Sequence, residues 1–158
     1  MAEMAVGKDH AHIRTSSLGS CVAIVLYDSI AQVGGMAHAM LPSRKDKPAD
    51  VIEVARYNIS ENGFVAKFAD EAVERLVAEI EKIGGKKEHL KAKLIGGAKM
   101  FRILSGDNFG IGFRNAEAAR ARLKALGIPV EAEDIGGVVG RTADLNIGNG
   151  LVEIVTVI

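Results

Sequence analysis

Apolar positions recur with two periods along this chain, and the change of period divides it into elements. Cys21-Val-Ala-Ile-Val-Leu-Tyr27 is a continuous apolar run containing β-branched residues. It predicts a strand over Cys21–Asp28 that is covered on both faces. Asp28-Ser-Ile-Ala-Gln32 reads as a turn, and a second strand follows to about Met40, where Pro42 breaks the pattern. From Pro42 to about Gly63 the chain is polar and irregular: Ser43 to Pro48 is a loop, Ala49 to Tyr57 adds a helical turn, and Asn62-Gly63 marks another turn. Phe68, Ala72, Val73, Leu76, Val77, Ile80 and Ile83 then recur at spacings of three and four. They predict an amphipathic helix from about Ala66 to Ile83, stopped by Gly84-Gly85. Lys93 to Ile95 and Asn108 to Phe113 read as short strands. Asn115 is placed to cap a second helix, with Ala119, Leu123 and Leu126 as its buried stripe and Gly127 as its end. Three β segments close the chain, Ile128–Ile135, Arg141–Ile147 and Leu151–Ile158, the last two joined by an Asn149-Gly150 hairpin turn. Strands outnumber helices, which predicts an α/β layered domain with mixed sheets.

Composition narrows the picture. The 158 residues fit a single domain over 1–158. They are 48% hydrophobic but only 4% aromatic, so the core must be built from Val, Ile, Leu, Ala and Met. The net charge of +0 gives no global field for nucleic acid or anionic lipid. Lys82 to Lys93 and Arg114 to Lys124 are locally basic and read as solvated faces. The chain has one cysteine, no run as long as a membrane span, and no signal-peptide layout at its first residues. The expectation is a cytoplasmic protein in a reducing compartment.

The lone thiol and one imidazole are the candidate chemistry. If Asp28 faces Val33 across an antiparallel hairpin, Ala23 faces His38 and Cys21 faces Met40. His38 then lies diagonal to Cys21 on the same face, at about 7–8 Å between diagonal positions. A slip of one residue would separate them. In this register Cys21 could act as a nucleophile with His38 as its base, and backbone amides at Gly19, Ser20 and Cys21 could hold an oxyanion. The hydroxyls of Thr15, Ser16 and Ser17 are candidates to orient the imidazole. The alternative is a small buried hydrophobe beside a satisfied core histidine. A metal site using His10, His12 and His38 is a further alternative: His10-Ala-His12 can present two ligands on one face of an extended segment, but a third ligand is unplaced.

The segments Thr15-Ser-Ser-Leu-Gly-Ser-Cys-Val-Ala-Ile24, Val33-Gly-Gly-Met-Ala-His-Ala-Met-Leu-Pro42, Gly96-Gly-Ala-Lys-Met-Phe101 and Ile111-Gly-Phe-Arg-Asn115 together resemble the CheD family of chemoreceptor glutamine deamidases. Lys67-Phe-Ala-Asp70, Ala132-Glu-Asp-Ile-Gly-Gly137 and Gly140-Arg141 extend the likeness over nearly the whole chain. The resemblance implies an α-β-β-α sandwich related to the fold of glutamine-deamidating toxins. It implies Cys21 as nucleophile, His38 as general base and Thr15 as the group that positions the imidazole, with no metal or other cofactor. The implied substrates are glutamines on the cytoplasmic helices of chemotaxis receptors, with receptor methylesterase activity as a second reaction. The implied partner is a CheC-type phosphatase of CheY, with Phe101 at that interface. The stretch Ala49–Val65 is longer than the family pattern requires, and Ser16-Ser17 stands where glycine or apolar residues are common. A different class of function, a non-catalytic adaptor binding receptors and the phosphatase, would need none of Thr15, Cys21 and His38.

Overall fold

The computed structural model describes residues 2–46, 66–100 and 110–157. Its first two strands, β1 (Met4–Lys8) and β2 (His12–Leu18), precede the apolar pair β3 (Val22–Asp28) and β4 (Val33–Ala39). Helix α1 (Ala69–Lys82) leads to β5 (Leu90–Gly96), and helix α2 (Gly110–Ala125) to β6 (Val130–Ile135), β7 (Gly140–Asn146) and β8 (Val152–Val157). A five-stranded mixed sheet runs β1-β4-β3-β5-β6, with β6 the one parallel neighbour. A three-stranded antiparallel sheet runs β2-β7-β8.

Side-chain alternation explains why these sheets stack. Val22, Ile24 and Leu26 of β3, with Ala37 and Ala39 of β4 and Leu94 of β5, meet α1 and α2 on one face of the larger sheet. Ala23, Val25, Met36 and Ile95 point the other way, onto Ala143, Leu145 and Ile147 of the smaller sheet. Strands β3 and β4 are therefore sandwiched, as their unbroken apolar runs predict. The class is the expected α/β with layered sheets. Among the described residues both helices cover the same face, so the layer order seen is α–β–β, and the second outer helical layer of the resemblance is not among them.

Helix α1 buries Ala72, Val73, Leu76, Val77 and Ile80, as their spacing predicts, and Gly84 carries the positive φ of 105° that ends it. Of the expected strand over Asn108–Phe113, the described part from Gly110 onward is instead the entry to α2. The buried positions here include Gly112, Asn115, Ala116, Ala119 and Leu123, a helical set. Asn115 consequently does not cap α2, which starts five residues earlier at Gly110. The small-residue stretch Thr15–Ser20 before Cys21, whose composition predicts a loop, belongs up to Leu18 to the strand β2. Its inward residues Ile13 and Thr15 include a hydroxyl, which hid the alternation. The Asn149-Gly150 turn between β7 and β8 is as expected, with Gly150 at φ 73°. The readings over Ser43–Gly63 reach into residues that lie outside the described ones from position 47 to position 65.

The β3–β4 turn sets the register on which the site depends. Asp28, fully buried, accepts the amides of Ile30 (2.9 Å), Ala31 (3.0 Å) and, from the start of the β5 arm, Lys86 (3.0 Å). A carboxylate satisfied in this way fixes the loop length. Asp28 faces Val33 and Ala23 faces His38, the pairing inferred from the sequence.

Candidate active site

Cys21 precedes β3 at the mouth of the sandwich, 8% exposed, and packs in the inter-sheet core with Leu18, Ala23 and Ile95. His38 sits on β4 between Met36 and Met40 and is 4% exposed. Because β3 and β4 keep the inferred register, Cys21 and His38 occupy diagonal positions on the same inner face. The third side chain comes from the facing sheet. Thr15 of β2 points inward opposite Ala143, and its Oγ1 lies 2.7 Å from His38 Nδ1.

A bulge makes this geometry compatible with the rest of β2. Thr15 and Leu18 both face inward although three residues apart, which a regular strand forbids. The β2–β7 ladder slips between them, with Ser17 in the left-handed region at φ 59°. The extra residue lets one strand bring Thr15 against His38 and Leu18 against Cys21.

Electrostatics favours neutral partners. Burial holds the His38 imidazole down to about 4 and pushes the Cys21 thiol above its ordinary value. At neutral pH the resting pair is a thiol and an uncharged imidazole. His38 Nε2 is buried and has no hydrogen-bond partner among the described residues. If Nδ1 carries the proton and donates it to Thr15 Oγ1, Nε2 keeps a free lone pair, the arrangement a general base requires. Thr15 and His38 also line a groove of about 300 Å³ between β1 and β2, flanked by Glu3 and Arg14.

The backbone around the thiol is held rigidly. The carbonyl of Gly19 accepts from Ala98 N and that of Cys21 from Gly97 N, both at 2.8 Å. Gly96, at φ 111°, permits this approach: a Cβ there would lie 2.3 Å from the Cys21 carbonyl oxygen. The amide of Gly19 donates to Ser17 O at 3.0 Å.

The remaining candidates separate. His12 lies on the outer face of β2 and pairs with Asp144 through Nδ1 at 2.9 Å, away from the buried His38. Among the described residues no three His, Cys, Asp or Glu side chains are grouped to hold a metal ion. Arg141 binds Asp134 Oδ1 and the carbonyl of Gly136. Phe101 and Ala49–Val65 lie outside the described residues. Among those described, no helix is long and apolar enough to cross a membrane.

Comparison with known proteins adds an independent line. The family model described as CheD chemotactic sensory transduction matches residues 40–156. A protein of Pyrococcus abyssi named probable chemoreceptor glutamine deamidase CheD is 43% identical over 158 residues, covering 100% of this chain and 90% of the relative. One of Geobacillus kaustophilus with the same name is 45% identical over 158 residues, covering 99% and 89%. The chemoreceptor glutamine deamidase CheD of Halalkalibacterium halodurans is 44% identical over 147 residues, covering 92% and 84%. These alignments carry the likeness across the N-terminal strands, which the family match does not reach.

Proposed function

Because the chain belongs to the CheD family, we propose that it hydrolyses glutamine side-chain amides of chemotaxis receptors to glutamate, with Cys21 as nucleophile, His38 as general base and Thr15 as the group that orients the imidazole. The observation that carries the reading is the 2.7 Å contact between Thr15 Oγ1 and His38 Nδ1, made on the inner face shared with the chain's one thiol. A satisfied core histidine would have both ring nitrogens bonded. Among the described residues no group bonds the second nitrogen here.

The chemistry follows from the two neutral partners. His38 Nε2 accepts the thiol proton as Sγ attacks the amide carbon, and the carbonyl oxygen takes up negative charge at the amides of Ser20 and Cys21. The imidazolium returns its proton to the nitrogen, the C–N bond breaks, and ammonia leaves behind a thioester. Water then attacks the thioester carbon while His38 takes its proton. Collapse breaks the C–S bond, returning the thiol and releasing glutamate. Methyl esters of receptor glutamates fit the same steps, with methanol as the leaving group. No metal enters any step.

With the receptors' cytoplasmic helices as substrate, the proposed site of action is the cytoplasm, and a CheC-type phosphatase is the proposed regulatory partner, with Phe101 at that contact. An adaptor without turnover has no use for an oriented imidazole. The test is incubation with a receptor cytoplasmic fragment and mass analysis of its peptides. Gains of about 1 Da at particular glutamines are expected with the natural chain and none with Cys21→Ala. Unchanged glutamines with folded protein, or full activity of Cys21→Ala, would refute the assignment.

A further inference from the structure

Asn115 is a fully buried amide inside α2, and the mechanism above does not use it. Its Nδ2 donates twice: to the carbonyl of Ser20 at 2.9 Å and to that of Met40 at 3.0 Å. Ser20 immediately precedes Cys21, and Met40 lies two residues beyond His38. One side chain therefore ties together the two chain segments that carry the thiol and the imidazole.

We propose that Asn115 is a positioning residue that fixes Cys21 relative to His38 by clamping the Ser20 and Met40 carbonyls, a proposal that rests on the deamidase reading for its catalytic consequence. The chemistry of position 115 is restrictive. Two acceptors must be served from one atom, which requires an –NH₂ group. Aspartate has the shape of asparagine but offers oxygen to both carbonyls. Glutamine has the donors on a longer stem.

Helix α2 is held close enough for this reach by a glycine contact. A Cβ at Gly112 would meet the Gly97 carbonyl oxygen at 2.5 Å, so the helix lies directly on the 96–98 backbone. That backbone supplies the Gly97 and Ala98 amides to the Cys21 and Gly19 carbonyls. The carbonyls of residues 19, 20 and 21 are thus all bonded into the body of the protein, the middle one by Asn115. The same clamp assigns a common purpose to two sequence segments that are far apart, Gly96-Gly-Ala98 and Gly112-Phe-Arg-Asn115: both hold the nucleophile loop.

The single cysteine makes the test direct, because iodoacetamide reports on Cys21 alone. Asn115→Asp is compared with the natural chain for deamidation of a receptor cytoplasmic fragment and for the rate of Cys21 alkylation across pH. The expected result is a loss of about 100-fold in kcat with KM changed less than about threefold, since a displacement near 1 Å costs that much. The alkylation rate should change at least about tenfold, because the loop is released. A folded variant with kcat and alkylation rate both within about twofold of the natural chain overturns the clamp. Should the natural chain deamidate nothing while the variant still shifts alkylation, the clamp stands and the deamidase reading falls. If Asn115→Asp does not fold, the Asn115 side-chain amide protons of the natural chain are followed by NMR. Exchange slowed by about 1,000-fold or more supports two buried hydrogen bonds, and exchange at the rate of a free amide overturns them.

Discussion

Lowering the pH should destabilise this fold through His38 before the carboxylates are extensively protonated, and the size of the effect follows from the site. The imidazole is 4% exposed and its pKa is held down to about 4, principally by burial. The same group in the unfolded chain titrates near ~6.5. The unfolded state therefore binds a proton that the folded state refuses, so stability falls as pH drops from about 6.5 toward about 4. At pH 4.5 the unfolded imidazole is almost fully protonated and the folded one only partly. The loss relative to pH 7 is about 2.5 kcal/mol, on 1.36 kcal/mol per unit of pKa difference. For a chain of this length that is roughly 5–10 °C in Tm.

Other groups also lose stability in acid, so the decisive comparison is with His38→Gln, which keeps a polar side chain but no titration in this range. Chemical unfolding of both proteins at pH 7 and pH 4.5 gives four free energies, and their double difference isolates His38. The natural chain should lose about 2.5 kcal/mol more than the variant. An equal loss in the two proteins would show that His38 titrates normally, which would remove the buried neutral base from the mechanism. An NMR titration of the ring protons supplies a direct check, with a midpoint near 6.5 giving the same refutation.

Thr15→Val preserves shape and removes the hydroxyl at Nδ1. It should cost about 1–3 kcal/mol in a urea melt, the price of a buried group left unsatisfied, and lower kcat more than KM; unchanged kcat would sink the orienting role. Gly96→Ala combines a φ of 111° with a Cβ placed 2.3 Å from the Cys21 carbonyl oxygen. A loss of at least about 2 kcal/mol is expected by chemical denaturation, and a neutral result would contradict the close approach. Asp28→Ala strands three backbone amides at the β3–β4 turn and should cost at least about 2 kcal/mol by the same assay, with a melt like that of the natural chain counting against the turn's role in register.

What could be read from the sequence, and what could not, divides by the range of the interaction involved. The β3–β4 pairing was legible because two continuous apolar runs flank a short turn, and alternation then dictates that positions 21 and 38 share a face. The α1 stripe was legible for the same reason, since spacing within one element reports its burial. Strand β2 was not, because one of its inward residues is the polar Thr15 and a bulge breaks the alternation two residues later. The residue that hides the strand is the one the site needs there: an apolar residue at 15 would have revealed β2 and left Nδ1 unbonded. Asn115 shows the same conflict more sharply. As a cap or as a clamp it offers the same amide, and only its partners distinguish the two, carbonyls 95 and 75 residues away in the chain. Local pattern cannot contain that information, because it is the tertiary packing of α2 against the β3–β4 pair that brings those carbonyls to Asn115. The least legible positions in this chain are thus polar residues buried against distant segments, and those are the positions at which an active site departs from the core that carries it.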